Sequence, residues 1–441
     1  MSIAAPLAGG LGPGEIISAL SWVQARAPYD VAPRLNGQVQ GGPVGFDVAR
    51  VRGLYPTLGE GIAHLDGTYS ALQPETVIRA IITTLRLAPA QPGSTSLRSQ
   101  RGAVSVANAR QAIADLVGST PDCVVLGSNV STLLQRFAWL VAREWQLGDE
   151  IVVSRLDHDA NVRPWVTAAK TVGAIVQWAE IDVETGALPD WQYEKLINTR
   201  TRVVTLPLAN PVTGAVPDVR RIADLVHAMG AVLIVDAGAA LPHMPIDMWQ
   251  LGADLLGVST ATFGGPTAGA VVARPGLLHE IDEDSAAPVL QGYEIGSLPI
   301  ELLDGVTAAI EHLASLDESA TGSRRQRLLT SIAAAEDYQR RLFAMLDVRL
   351  RQLRGLTVLG SGTERVPVLA FTVAGHPPAS VGDFLRTRGI SVWTGPNGMS
   401  QLMLSLGADE LGGAVHVGIM PYTTATEVDH LVRALAEFTG S

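Results

Sequence analysis

Lysine is almost missing from this chain: among 441 residues there are two, Lys170 and Lys195. An enzyme whose chemistry starts from a lysine amine has two places to find one. Cysteine is scarcer still. The single thiol, Cys123, rules out an intrachain disulfide framework and fits a reducing, cytoplasmic setting. Charged residues make up 17% and the formal net charge is -11, so the clustered basic surface that neutralises nucleic-acid phosphates is not expected. No apolar run reaches the roughly 18 to 20 residues that span a bilayer. The first residues lack a basic segment followed by a compact apolar one, so no secretory signal and no membrane partner are expected. No metal site is expected either.

What is present is a core: 47% of residues are hydrophobic, enough for a large folded protein of two or three domains. Residues 1–45 are rich in Gly, Pro and Ala, with one short helical pattern around 15–26, and form an expected N-terminal extension. From residue 46, short apolar strands alternate with helical periods. Strands are predicted at 123–126, 150–153, 174–178, 202–206, 231–235 and 255–258, with 268–273 returning. Helices are predicted at 74–85, 104–116, 130–142, 161–171, 191–197, 219–228 and 248–251. Such alternation implies an α/β fold with a mostly parallel sheet and function at the carboxyl ends of its strands. Past about residue 299 the pattern changes. A helical stretch over 299–353, broken near 319–323, precedes strands at 357–359, 366–373 and 415–418 and helices at 381–388 and 425–438. A large domain over 46–298, its first residues packing on the other domain, and a small α+β domain over 299–441 are expected.

The strand ends carry polar residues in order. Gly127-Ser128-Asn129-Val130-Ser131-Thr132 opens into a helix and is either an anion site or an ordinary N-cap. His158, in Asp157-His158-Asp159-Ala160-Asn161, is either an exposed loop histidine or free to stack on an aromatic ring and move protons. Asp236 ends the buried strand Val232-Leu233-Ile234-Val235, so a cationic or protonated partner is expected beside it unless it caps the next turn. Asn210, in Asn210-Pro211-Val212-Thr213-Gly214, offers an amide that turn formation alone would explain.

Together with His243, Leu65-Asp66-Gly67-Thr68, Tyr293-Glu294-Ile295-Gly296-Ser297 and Gly412-Gly413-Ala414-Val415-His416-Val417-Gly418, these segments resemble a class V aminotransferase. The nearest branch is the cysteine desulfurase-like proteins of pyridoxal phosphate (PLP) fold type I. The resemblance runs from about residue 46 to the C-terminus. It implies a seven-stranded, mostly parallel large-domain sheet and a dimer. His158 would stack on the cofactor ring and Asp236 would hold its nitrogen, with Asn210 near the ring hydroxyl or substrate. Val130, Ser131 and Ser259 would hold a phosphate, and Gly296 and Ser297 would reach the partner subunit's phosphate site.

The reactive positions depart from the family. Its Ser-x-His/Tyr-Lys loop reads Ser259-Thr260-Ala261-Thr262 here, so Thr262 stands in the lysine's place. Ala239 replaces a glutamine, and His416 an arginine that binds the substrate carboxylate. Cys123 begins a core strand, not a mobile loop, so standard desulfurase chemistry is not expected. PLP is the implied cofactor, but not as a lysine Schiff base. The expected function is a divergent enzyme whose cleft takes a small phosphorylated or PLP-derived ligand. His158 or His416 would act as acid or base and Thr262 as a hydrogen-bond donor. The alternatives are a non-catalytic subunit paired with an active paralogue and, last, a conventional PLP enzyme.

Overall fold

Near-continuous runs of Val, Ile and Leu build a sheet covered on both faces. The computed structural model describes residues 46–281, 292–294, 296–362 and 364–441, and residues 46–441 form one unit. The extension expected over 1–45 lies outside the described residues. Seven strands make the large sheet: β1 (Val124–Gly127), β2 (Glu150–Ser154), β3 (Ile175–Ala179), β4 (Thr201–Pro207), β5 (Val232–Asp236), β6 (Leu255–Ser259) and β7 (Gly269–Ala273). Their order is β3-β2-β4-β5-β6-β7-β1, parallel except that β7 runs antiparallel to both neighbours. The carboxyl ends of β1, β2, β4, β5 and β6 therefore share one edge.

Helices cover the sheet: α1 (Glu75–Leu87), α2 (Leu97–Val117), α3 (Val130–Val141), α4 (Asp159–Val172) and α5 (Val219–Ala228). Helix α2 starts seven residues before its predicted position, because Ser96 caps it by accepting from Ser99 N. Helix α6 (Ile300–Ala314) packs on α1 and α2, on the large-domain side, although it follows the boundary expected at residue 298. The predicted break before the next helix falls at 315–323, where Gly322 adopts a φ of 94° and Ser323 and Gln326 form a capping box that starts α7 (Arg324–Leu350). The small sheet contains β8 (Leu356–Val358), β9 (Val368–Val373), β10 (Trp393–Gly395) and β11 (Ala414–Gly418), all antiparallel, in the order β10-β11-β9-β8. It is backed by α7, α8 (Pro378–Arg386) and α9 (Ala425–Thr439).

Two links join the layers. Ala63–His64 pairs in parallel with Ile390–Ser391, carrying the first residues onto the small domain. The turn after β4 also bonds to the segment before β9. Val366 N donates to Gly214 O (2.9 Å), Val216 N to Glu364 O (3.1 Å), and Arg365 Nε to Thr213 O (2.6 Å). Among the described residues, no helix is long and apolar enough to cross a membrane.

Candidate functional site

The shared edge of the sheet holds a cleft of about 190 Å3. β1 ends at Gly127 and passes through Asn129, whose Oδ1 accepts from Thr132 N (2.9 Å), into α3. The amides of Val130 and Ser131 then have no acceptor within the helix, and both residues line the cleft. Gly269 of β7 makes this possible: a Cβ there would lie 2.2 Å from Val130 N. On the opposite side, β2 leads to His158, which caps α4 by accepting from Ala160 N at Nδ1 (3.1 Å). That bond leaves the proton of the neutral ring on Nε2. The Gly398 backbone lies against Nε2, where a Cβ would sit 2.2 Å away, and Gly398 has the left-handed φ of 73°. The same loop is tied to α4 by Asp159 N donating to Gly398 O (2.8 Å) and by Ser400 Oγ donating to Asp159 Oδ2 (2.8 Å), and to the turn after β2 by Arg155 donating to Gln401.

The floor is acidic. Asp236, at the end of β5, lines the cleft and accepts from Gly238 N through Oδ1 (2.8 Å). Asp157 is buried beside it, accepting from His158 N (2.8 Å) and from Asn161 Nδ2 (2.7 Å). Burial lifts the pKa of both carboxyls. For Asp157 the charge of Asp236 adds to the rise; for Asp236, Gly238 N–H and His158 oppose it. His158 is thus the neighbour that stands beside Asp236, and the second carboxyl was not anticipated. Folding binds more protons here than the unfolded chain does, so these groups lower stability as pH rises above the ordinary carboxylate range. Asp157→Asn is expected to raise the melting temperature of the ligand-free protein at pH 7 by a few degrees. A lower melting temperature there would show that the carboxylate stabilises the fold.

The last wall is the loop after β6. Ser259 and Thr262 line the cleft, and the loop is held by Thr260, whose hydroxyl reaches Ala268 O (3.0 Å). The Thr262 hydroxyl donates to Ser259 O (2.8 Å), so toward a ligand it accepts and does not donate, contrary to expectation. Ala239 presents a methyl group. Among the described residues no lysine or arginine lines this cleft; Lys170 and Lys195 are exposed on helices outside it.

The family model of class-V aminotransferases matches residues 63–431. The chain belongs to the class-V aminotransferase family. An uncharacterized Mycobacterium tuberculosis protein (strain CDC 1551 / Oshkosh) is 42% identical over 89% of this chain and 99% of its own length. The cysteine desulfurase CsdA of Escherichia coli is 28% identical over 88% of this chain and 97% of its own. The CsdA crystal structure superposes with a TM-score of 0.76, over 89% of this chain and 98% of that one. An apo cysteine desulfurase from Thermococcus onnurineus NA1, 22% identical and covered over 98% of its chain against 89% of this one, has a TM-score of 0.79 and shows the fold alone. The chain is cysteine desulfurase-like and has the PLP fold of type I.

Within this class-V cleft the structure brings together Val130, Ser131, His158, Asp236, Ser259 and Thr262. It does not bring Asn210 or His416 to the lining. Asn210 is fully buried: Nδ2 reaches Leu156 O (2.5 Å) and Oδ1 accepts from Val212 N and Thr213 N (2.8 Å each), so its amide builds the turn. His416, on β11, is fully buried, and its Nε2 lies 2.8 Å from Gly395 O. Burial pushes its pKa down to about 4, so it is a neutral packing group and neither an acid–base residue nor an anion site at neutral pH. Gly296 and Ser297 are exposed, outside their own chain's cleft. Burial raises the Cys123 pKa, as expected of an inert thiol. Thr68 and Tyr69 line the cleft, and the sequence offered only their place after Leu65-Asp66-Gly67 as a sign. A larger cavity of about 370 Å3 lies between the Ala63–His64 pairing and α8, without the converging strand ends.

Proposed function

We propose that this class-V aminotransferase-family protein is a divergent enzyme that holds a small nitrogen-bearing, phosphorylated aromatic ligand of the PLP type without a covalent bond. The supporting observation is the cleft wall itself: a hydroxyl already engaged at Thr262, and no primary amine among the lining residues. The lining fits part of such a ligand. Asp236 would hold a ring nitrogen, while Ser131, Ser259 and the start of α3 would offer hydroxyls and amides to a phosphate. It does not fit a Schiff base, and no step is derived through one. PLP, when bound, supplies a ring that withdraws electrons. Here the chain's own part is to orient that ring with Asp236 and to cover it with His158.

The test is to titrate the purified full chain with PLP, follow absorbance, and treat the mixture with borohydride. Saturable binding that desalting reverses, with no peptide mass increase after reduction, is the expected result. A borohydride-fixed adduct on Lys170 or Lys195, or no binding at millimolar PLP, defeats the proposal. Thr262→Lys is expected to gain a fixed adduct. The second possibility, a subunit lending Gly296 and Ser297 to an active paralogue, is favoured by the exposure of both residues. It predicts co-purification of a class-V partner from the native host.

A further inference from the structure

Unsatisfied groups in the cleft indicate what kind of molecule enters it. Thr68 is only 4% exposed and lines the cleft, yet its hydroxyl has no hydrogen-bond partner. The Tyr69 hydroxyl beside it is likewise buried and unpartnered. Asp236 uses Oδ1 on Gly238 N, and no bond occupies Oδ2. Buried polar atoms of this kind are normally paired, so the two hydroxyls in one cleft mark hydrogen bonds that a ligand completes.

The charges on that wall have one sign. The carboxyls are Asp236 and, behind it, Asp157; no lysine or arginine lines the cleft among the described residues. Toward the small domain the wall is aromatic. The Tyr69 ring packs edge-on against Trp393 (6.0 Å between centroids) and His416 (5.7 Å). His416 donates from Nε2 to Gly395 O while its buried Nδ1 has no partner, which is the arrangement of a neutral ring. A carboxylate placed beside Asp236, away from the amides at the start of α3, would give up water and meet no cation. A protonated amine would meet Asp236 and Thr68 on an apolar bed formed by Val130, Pro207 and Ala239.

We propose that the substrate admitted to this cleft is an amine or other protonated nitrogen on an aromatic or apolar frame, lacking a carboxylate, and not an amino acid. This rests on the cleft being the ligand site proposed above; the amine takes the Asp236 carboxylate that a ring nitrogen would take, so the two compete for it, and the phosphate end at the start of α3 stays apart. Specificity follows from the unpaired state in which a carboxylate would be left.

The experiment compares matched pairs on the purified full chain without added PLP. Tyramine is set against tyrosine, and phenethylamine against phenylalanine, by calorimetric titration at pH 7.5. Each amine is expected to bind at least about tenfold more tightly than its amino acid, the discrimination open to a site that leaves a polar group unpaired. Thr68→Val is expected to weaken amine binding several-fold while leaving the melting temperature unchanged or higher, since it deletes an unsatisfied hydroxyl. Equal or tighter binding of the amino acids overturns the proposal, and so does a Thr68→Val protein that binds the amine as before. If neither amine nor amino acid binds while PLP does, this inference falls and the proposed function stands. If nothing binds, both fall.

Discussion

Acidification from about pH 6.5 toward pH 4 is expected to destabilise the folded chain through three buried histidines, each by roughly 1.4 kcal/mol per pH unit crossed. His243, His312 and His416 are 0–3% exposed, and burial pushes each pKa from 6.5 down to about 4. None faces a carboxylate in a hydrogen bond: His243 faces Gln339, His312 faces Tyr55, and His416 faces Gly395 O. The sign follows from proton counts. Between the two pKa values the unfolded chain binds the proton and the folded chain does not, so stability is full above about 6.5 and lost as pH falls. Asp157 and Asp236 work the other way, because their raised pKa values favour the folded state as they protonate. The measurement is therefore a urea midpoint against pH in Asp157→Asn protein. The histidine effect is comparable to the whole stability of a typical domain, about 5–15 kcal/mol. A flat or rising midpoint between pH 6.5 and 4 would contradict it. His416→Gln, whose amide still reaches Gly395 O, should flatten the slope by about a third.

Replacing Gly269 with alanine is expected to cost about 3 kcal/mol and to abolish ligand binding together. The added Cβ would lie 2.2 Å from Val130 N, 2.4 Å from Asn129 C and 2.9 Å from Asn129 Cα. All three are backbone atoms at the start of α3, so no rotamer relieves the contact and the helix must shift. The helix start is the proposed phosphate end of the cleft, so binding and stability fall together. Gly59→Ala, with open space around its Cβ, serves as the control and should stay within about 0.5 kcal/mol of the parent. A Gly269→Ala protein with parental stability and binding would show that α3 tolerates displacement.

The large sheet was legible because most of its strands are short runs of β-branched and aliphatic residues buried on both faces, as in Glu150–Ser154 and Thr201–Pro207. Short elements were not: Ala63–His64 and Ile390–Ser391 carry no period over two residues, and their pairing joins positions more than 300 apart. That Val130, Ser131, His158, Asp236 and Ser259 share one cleft was legible because helix starts and strand ends collect at one edge of such a sheet. Thr68 and Tyr69 escaped because they reach the cleft from a segment without a strand of its own. Asn210 and His416 misled for another reason. Their residue types suit ligand contact, but what neighbouring backbone atoms take from a side chain cannot be read from its type.

The turn at Thr213–Gly214 gives the cleft an asymmetric mechanics. Its tie to the small domain runs through the buried Thr213 and through Arg365, which also pairs with Asp347 (3.1 Å) and stacks on Phe343. Parting the domains there would strip partners from groups that water cannot quickly reach. On the other side the Asp159–Ser400 bond is exposed and the Arg155–Gln401 bond partly so, and water replaces such bonds at less cost. Opening the cleft at residues 398–400 is therefore expected to cost less than opening it at the Thr213–Gly214 turn, and to show as faster amide exchange there.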